Sequence, residues 1–257
     1  MKLRYVLSII SLSILCQSCQ HKMDNIKEEP TIKEPKINEA ASYNTRLGLA
    51  YLQQGNRSLA KRKLLLAMAQ APNSANVNAS MAYFMEKSGD MDKAGKFYQK
   101  AMALAPGAGT QLNNYGAFLC RQGQYREAEK YFMKAVNDVR YDHTAGAYEN
   151  AGLCIMAVSD DITAATYFVK ALEQDPSRQQ SLYELVTLDM KQGKFKEALN
   201  HLQKHSNLCL NDRALLNLAI TVANKSGHPE QEEAYKLRLK NFSENTGGHN
   251  EYNTNNG

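Results

Sequence analysis

Leu47-Gly48-Leu49-Ala50-Tyr51, followed by Ala60, Ala67 and Pro72, is the stretch that decides the fold, because its small residues and its proline recur along the chain. Alanines follow Ala60 at gaps of 34, 34, 36 and 34 residues, at Ala94, Ala128, Ala164 and Ala198. The same spacing relates Gly48, Ala82, Gly116 and Gly152, then Ala67, Ala101, Ala135 and Ala171, then Pro72, Pro106 and Pro176. Every series shifts by two residues between Ala135 and Gly152, as one loop insertion would produce. The chain is therefore a repeat array, and such arrays usually form binding surfaces.

The repeat unit resembles the tetratricopeptide repeat, a pair of packed helices about 34 residues long. A small residue in the first helix leaves room for the second helix, which brings its own alanine and a large apolar side chain. The units are predicted at 41–74, 75–108, 109–142, 145–178, 179–211 and 212–242. The expected fold is all-α, a right-handed superhelix of about six helix-turn-helix repeats.

The turns within the units are marked by glycines, and the last two units depart from the pattern. Glycines between the two helices of a unit, where a positive φ would reverse the chain, are Gly55, Gly89, Gly123 and Gly193. In the fifth unit His205 takes the place of Ala171 and its equivalents in the second helix, and Asp189 takes the place that Tyr51 has in the first unit. We therefore expect the fifth unit to be looser. Gln231 in the sixth suits a polar terminal cap.

The N-terminus has the features of an export signal. Lys2 and Arg4 precede an apolar stretch at 5–15 that is too short to span a membrane. The following Cys16-Gln17-Ser18-Cys19 resembles the end of a bacterial lipoprotein signal. We predict a signal peptide at 1–18 and lipidation of Cys19; lipidation of Cys16, or secretion without a lipid, are the alternatives.

Two polar segments flank the predicted array. Residues 19–40 are rich in Lys and Glu and contain two prolines, a composition that predicts a flexible tether. Residues 243–257 are rich in Asn and Gly and are predicted to be a disordered tail. Gln20, directly after Cys19, is not the Asp that retains lipoproteins of enteric bacteria in the inner membrane, and this resemblance implies an outer-membrane location facing the periplasm.

Enzymatic chemistry has little support in the sequence. There is no glycine-rich phosphate loop, no His-Glu-x-x-His and no Gly-x-Ser-x-Gly motif, so we predict no catalysis, no cofactor and no small-molecule substrate. His201, His205 and Cys209 share a helical spacing but have no fourth ligand nearby, so we predict no metal site. The net charge of +5 comes from mixed acidic and basic residues, which does not favour nucleic acid binding.

Two cysteines are predicted to form a disulfide bond. Cys120 lies four residues after Gly116, whereas Cys154 lies two after Gly152, so their places in adjacent first helices differ by two residues. Because two residues turn a helix by about 200°, the two side chains can face each other. An exported protein meets an oxidising compartment, which favours the bond over two buried thiols. Cys209 is expected to remain free.

The first helices of such repeats line a concave groove that binds protein segments. Carrying those positions over predicts a partner-binding groove formed by Thr45, Leu49, Leu52, Ala79, Tyr83, Glu86, Asn113, Ala117, Leu153, Met156 and Tyr183. Any one of these residues could instead pack internally or only face water. The mixture of apolar and polar residues favours a hydrophobic segment of a protein partner over an acidic tail, and no quartet of Lys or Arg that would clamp a terminal carboxylate is evident.

Two cysteine-containing runs carry a more specific resemblance. They are Leu112-Asn113-Asn114-Tyr115-Gly116-Ala117-Phe118-Leu119-Cys120 and Glu149-Asn150-Ala151-Gly152-Leu153-Cys154. With the lipoprotein signal and the repeats, they resemble the pilotin family of type IV pilus biogenesis and stability lipoproteins. The resemblance implies a lipid-anchored protein of the Gram-negative outer membrane that assists multimerisation of the secretin, and it supports the Cys120–Cys154 bond.

Other classes of function remain open at this level. A general periplasmic adaptor lipoprotein for peptidoglycan hydrolases, proteases or outer-membrane assembly factors would have the same repeats, and so would a scaffold without a defined ligand. Only the two cysteine-containing runs favour the pilus over these alternatives.

Overall fold

The computed structural model describes residues 34–247, and over this range every regular element is an α-helix. The helices are α1 (Glu34–Gln53), α2 (Arg57–Gln70), α3 (Ala75–Lys87), α4 (Met91–Leu104), α5 (Gly109–Arg121), α6 (Tyr125–Val136), α7 (Thr144–Met156), α8 (Asp161–Gln174), α9 (Gln179–Lys191), α10 (Phe195–Lys204), α11 (Ser206–Cys209), α12 (Arg213–Lys225) and α13 (Pro229–Gly247). The all-α class and the helix-turn-helix repetition are confirmed. None of these helices is both long and apolar enough to cross a membrane.

Each unit contains one pair of longer helices, from α1 with α2 to α12 with α13, and the fifth also contains the short α11. The two helices of a pair pack on each other, and the first helices of neighbouring units also touch, α1 with α3, α3 with α5 and α5 with α7. Helix α1 begins at Glu34, within the predicted tether at 19–40, and α13 extends to Gly247, within the predicted tail at 243–257. The predicted signal peptide at 1–18, Cys16, Cys19 and Gln20 lie outside the described residues.

The small residues of the repeat allow close packing of the two helices of each unit. A Cβ atom placed on Gly152 in α7 would lie 2.6 Å from Cε1 of Phe168 in α8. A Cβ on Gly116 in α5 would lie 3.0 Å from the ring of Phe132 in α6. The aromatic ring of the second helix therefore occupies the space that glycine leaves in the first, which is the reason for the spacing seen in the sequence.

The turns between paired helices use the predicted glycines. Gly55, Gly89, Gly123 and Gly193 have φ between 72° and 86°. In the fourth unit Ser159 takes this place with φ 58°, and it is the non-glycine residue with positive φ in the part of the chain that the structure describes. Several second helices then begin with a side-chain cap, as where Asp90 Oδ1 accepts from the main-chain N–H of Lys93.

The fifth unit departs from the others in its second helix. Helices α2, α4, α6 and α8 have 12 to 14 residues, whereas α10 has 10 and ends before His205, after which the short α11 begins. His205 is buried where the other units have a buried alanine, and a ring does not fit the space of a methyl group without a change in the helix path. This interruption lies in the unit for which the sequence predicts looser packing.

Candidate binding groove

A groove of about 930 Å³ crosses the first three units and reaches α7. Its walls are formed mainly by the first helices α1, α3 and α5, which lie side by side. Six residues predicted from the sequence line it: Leu49, Leu52, Ala79, Tyr83, Asn113 and Ala117. Their intervals of three or four residues within each helix place them on one helical face, which accounts for their convergence.

The apolar part of the groove lies on α1 and α3. Leu49 and Leu52 are half-buried, and the ring of Tyr83 is 37% exposed. The Nζ atom of Lys87 lies 5.3 Å from the centroid of the Tyr83 ring, in the range of a cation–π contact. This part of the groove therefore offers apolar contacts beside a positive charge.

Amide side chains form a second part of the groove. The Oδ1 atom of Asn76 accepts a hydrogen bond of 2.7 Å from Nε2 of the buried Gln111, and Oδ1 of Asn113 accepts one of 3.0 Å from Nδ2 of Asn150. While each of these oxygens accepts one hydrogen bond, the amide NH₂ groups of Asn76 and Asn113 can donate to a ligand. Amide groups held in this way are oriented before any ligand arrives.

Glu86, which the sequence places in the groove, lies beneath its surface. Its side chain is 6% exposed and accepts hydrogen bonds from Nε and Nη2 of Arg121 and from the phenol of Tyr98, at 3.2 Å for the phenol. Burial, with the charge of Glu86 adding to it, raises the pKa of Tyr98, so the phenol stays protonated and donates. Glu86 thus acts as the internal counter-ion of Arg121 instead of contacting a ligand.

Four other predicted groove residues are not among the residues that line it. Thr45 is buried, and its hydroxyl donates to the main-chain carbonyl of Ala41 one turn earlier. Met156 and Tyr183 are half-buried and pack against the main apolar core, and Leu153 is exposed on α7, three residues after the lining residue Asn150. Asn150 is the lining residue furthest along the chain. The groove positions predicted from the repeat pattern therefore continue beyond it, to Tyr183.

The sequence analysis missed the basic residues of the groove. Arg57, Lys87 and Arg121 all line it. Lys87 follows Tyr83 by four residues and Arg121 follows Ala117 by four, so extending the predicted stripe by one helical turn would have found both. Asn76, Ser80 and Asn150 are further lining residues that were not predicted.

The groove carries a net positive charge. No Asp or Glu is among its lining residues, and the carboxylate of Glu86, beneath the groove, is covered by Arg121. Neither Arg57 nor Lys87 forms an ion pair within residues 38–241, whose side chains the structure describes. A ligand with a negative charge is therefore electrostatically complementary to this surface.

A disulfide bond joins Cys120 in α5 to Cys154 in α7, with 5.8 Å between the two Cα atoms. It ties the third unit to the fourth beside the end of the groove, at the two places predicted to face each other. Cys209 is free and buried, and burial raises the pKa of its thiol to about 11, so it is protonated and unreactive at neutral pH.

The described residues contain no cluster of three or more His, Cys, Asp or Glu side chains suited to a metal ion. His201 lies on α10, whereas His205 and Cys209 follow the end of that helix, so the three do not share one helical face. The Nε2 atom of His201 instead lies 3.7 Å from Oδ2 of the buried Asp189.

Comparison with known proteins supports both the fold and the resemblance. A family model described as tetratricopeptide repeat matches residues 74–107, the second unit. The type IV pilus assembly protein PilF of Pseudomonas aeruginosa is 28% identical over 213 residues, which cover 83% of this chain and 84% of the relative.

Two solved structures are similar over most of the array. The structure of Pseudomonas aeruginosa PilF has a TM-score of 0.66 at 28% identity and covers 80% of this chain and 93% of its own. The structure of PilW, a type IV pilus biogenesis factor, has a TM-score of 0.64 at 23% identity, covers 79% and 93%, and supports the fold. The tetratricopeptide fold and the resemblance to the type IV pilus proteins are confirmed.

Proposed function

We propose that this tetratricopeptide-repeat protein, a relative of PilF, is a non-enzymatic outer-membrane lipoprotein that binds a subunit of the type IV pilus secretin. In this proposal the groove of the first three units captures a segment of the secretin subunit and assists its localisation and multimerisation. The lipid on Cys19 holds the array at the periplasmic face of the outer membrane.

The groove is the observation that carries the proposal. It combines half-buried leucines, an exposed tyrosine, oriented amide groups and positive charges that have no ion-pair partner among the described side chains. The volume of the groove is about 930 Å³. A concave, mostly preformed surface with apolar and convergent polar groups suits a peptide segment. Similarity to a type IV pilus assembly protein over 83% of the chain supports a partner in the pilus machinery.

Rigidity of the groove favours binding without rearrangement. The Glu86–Arg121 ion pair joins α3 to α5, and the Cys120–Cys154 bond joins α5 to α7. A preformed surface does not lose the entropy of ordering its own loops when a partner binds, so more of the contact energy appears as affinity.

Affinity capture from the periplasm tests the proposal. The protein, carrying a C-terminal affinity tag, is isolated in mild detergent after rapid crosslinking, and co-purifying proteins are identified by mass spectrometry. We expect the secretin subunit, and its loss from the outer-membrane fraction when the gene is deleted. Recovery of a peptidoglycan hydrolase, a protease or an outer-membrane assembly factor without secretin would replace the proposal with the general adaptor function.

The lipid anchor has its own test. Cys19→Ala should move the protein from the outer-membrane fraction to the soluble periplasmic fraction, while Cys16→Ala should leave it in the membrane. Membrane retention of the Cys19→Ala protein, or release of the Cys16→Ala protein, would contradict the assignment of Cys19.

A further inference from the structure

We infer that the groove binds its partner as an extended acidic segment of about six residues, and not as an amphipathic helix held by its apolar face. The inference rests on the proposed function only in taking the groove as the binding surface. It specifies the chemistry of the occupant, which the resemblance to pilus proteins does not provide.

The two ends of the groove differ in chemistry. Hydrogen bonds join like ends of neighbouring first helices, Asn76 to Gln111 at their starts and Glu86 to Arg121 at their ends, so these helices run in the same direction. Asn76 and Thr110 are the second residues of α3 and α5, and we call the end of the groove at the starts of these helices the amide end. Lys87 and Arg121 are the last residues of the same helices, and we call the end of the groove beside them the basic end.

The basic end requires an anion from the ligand. Lys87 is exposed and lies over the ring of Tyr83, and neither Lys87 nor Arg57 has an ion-pair partner among the side chains that the structure describes. Basic residues in the last turn of a helix also interact favourably with the helix dipole. That effect accounts for their positions, but it leaves the excess of positive charge in the groove uncompensated. A carboxylate on the ligand would compensate it.

The amide end favours an extended main chain. In an α-helix the N–H and C=O groups bond to each other, whereas an extended segment leaves them open to outside partners. Asn76 and Asn113 line the groove, and their side-chain oxygens accept hydrogen bonds from Gln111 and Asn150, so their NH₂ groups can donate to a ligand. An apolar helix face laid over them would remove these donors from water without replacing their hydrogen bonds, which disfavours that mode of binding.

The length of the first helices sets the length of a segment that connects the two ends. First helices of 13 residues are about 20 Å long. An extended peptide advances about 3.3 Å per residue, so about six residues connect the amide end to the basic end. Between the two ends Leu49, Leu52 and Tyr83 would contact an apolar side chain of the segment.

Photocrosslinking followed by a charge swap tests the inference in the full-length protein. With p-benzoylphenylalanine in place of Ser80, a residue that lines the groove, crosslinking in cells and mass spectrometry identify the bound segment. A synthetic fluorescein-labelled peptide of that segment then binds the detergent-purified protein in an anisotropy titration. We expect the segment to contain Asp or Glu, and Lys87→Glu to weaken binding about tenfold or more.

A matched control and a rescue separate charge complementarity from damage to the fold. Lys134 also lies over a tyrosine ring, that of Tyr131 at 5.1 Å, but outside the groove, so Lys134→Glu should leave the affinity unchanged. A peptide with Lys in place of its acidic residue should bind the Lys87→Glu protein more tightly than the original peptide does. A helix-promoting aminoisobutyrate in the peptide should weaken binding.

The outcomes distinguish this inference from the proposed function. A secretin segment without an acidic residue, tighter binding of the aminoisobutyrate peptide, or no effect of Lys87→Glu would overturn the inference and leave the secretin partner in place. An acidic extended segment from a protein other than secretin would support the inference and overturn the proposed function. No crosslink from the Ser80 position would contradict an occupied groove and thereby the inference.

Discussion

The carboxylate of Glu86 in α3 is bound by two nitrogens of the Arg121 guanidinium in α5, and this pair joins the second unit to the third directly beneath the groove. The Glu86 side chain is 6% exposed and that of Arg121 42% exposed, so the arginine covers the acid and keeps its own outer edge in the groove. The same contact supports the fold and sets the charge of the binding surface.

Removal of Arg121 should destabilise the protein because it leaves a buried carboxylate with only the Tyr98 phenol. Arg121→Met is expected to lower the free energy of unfolding by about 2–3 kcal/mol. Adding Glu86→Gln should recover part of that loss. Arg140→Met, which breaks an ion pair with Asp138 in which the arginine is 74% exposed, should cost less than about 0.5 kcal/mol. Urea titrations of the four proteins measure this, and equal losses in the two single arginine variants would contradict it.

The Cys120–Cys154 bond should contribute strongly to stability, because it closes a loop across the third and fourth units. For a sequence separation of 34 residues the chain-entropy estimate is about 4 kcal/mol. Replacing both cysteines by alanine should lower the urea midpoint far more than Cys209→Ala does. In the protein isolated without reductant, iodoacetamide should modify neither Cys120 nor Cys154, and alkylation of both would rule the bond out.

Two glycines provide a matched test of helix packing. Gly152→Ala places a methyl group 2.6 Å from the Phe168 ring and should destabilise the protein by about 1–3 kcal/mol. Gly95→Ala in α4 places it 3.7 Å from the Phe118 ring, an ordinary contact, and should stabilise the protein by up to about 1 kcal/mol through higher helix propensity. Thermal unfolding followed by circular dichroism should therefore show opposite shifts, and shifts of the same sign would refute the packing explanation.

Asp189 should make the stability depend on pH. Burial raises the pKa of its carboxyl to about 6 in the folded state, from the ordinary 3.8. Between about pH 4 and 6 the folded state keeps a proton that the unfolded state has lost, so this group's contribution to stability falls as the pH rises. Above pH 6 the folded protein holds a buried carboxylate whose Oδ2 atom accepts no hydrogen bond from the described residues.

Asp189→Asn removes that ionisation and isolates its effect. The variant should be more stable than the original at pH 7, by on the order of 2 kcal/mol, and the difference should shrink towards pH 4. Urea titrations of both proteins at pH 4, 5.5 and 7 measure the difference, in which the titrations of groups that do not interact with Asp189 cancel. A difference that does not change with pH would show that Asp189 ionises normally.

The repeat spacing was sufficient to predict the helix pairs, because the packing of a ring such as Phe168 against Gly152 constrains residues at fixed intervals. The same periodicity led to six lining residues of the groove. Turn glycines were predictable from their backbone requirement. In the fourth unit Ser159 adopts the positive φ without that sequence signal.

Other features depend on contacts that the repeat pattern does not encode. Glu86 has the spacing of a groove residue, and only its pairing with Arg121, 35 residues later, shows that it is buried. The positive charge of the groove arises because that pairing hides the nearby acid while Lys87 stays unpaired. The start of α1 at Glu34 was not anticipated, since the Lys, Glu and Pro composition there indicated a tether.

The central claim is that the groove promotes secretin multimerisation, and complementation of a gene deletion tests it most directly. Tyr83 lines the groove, whereas Tyr43 is more exposed, at 56%, and lies outside it. Heat-resistant secretin multimers are measured by immunoblot in deletion cells that produce the original protein, Tyr83→Asp or Tyr43→Asp at equal levels. We predict multimers with the original protein and with Tyr43→Asp, and few with Tyr83→Asp. Normal multimers with Tyr83→Asp, or in the deletion cells themselves, would contradict the account.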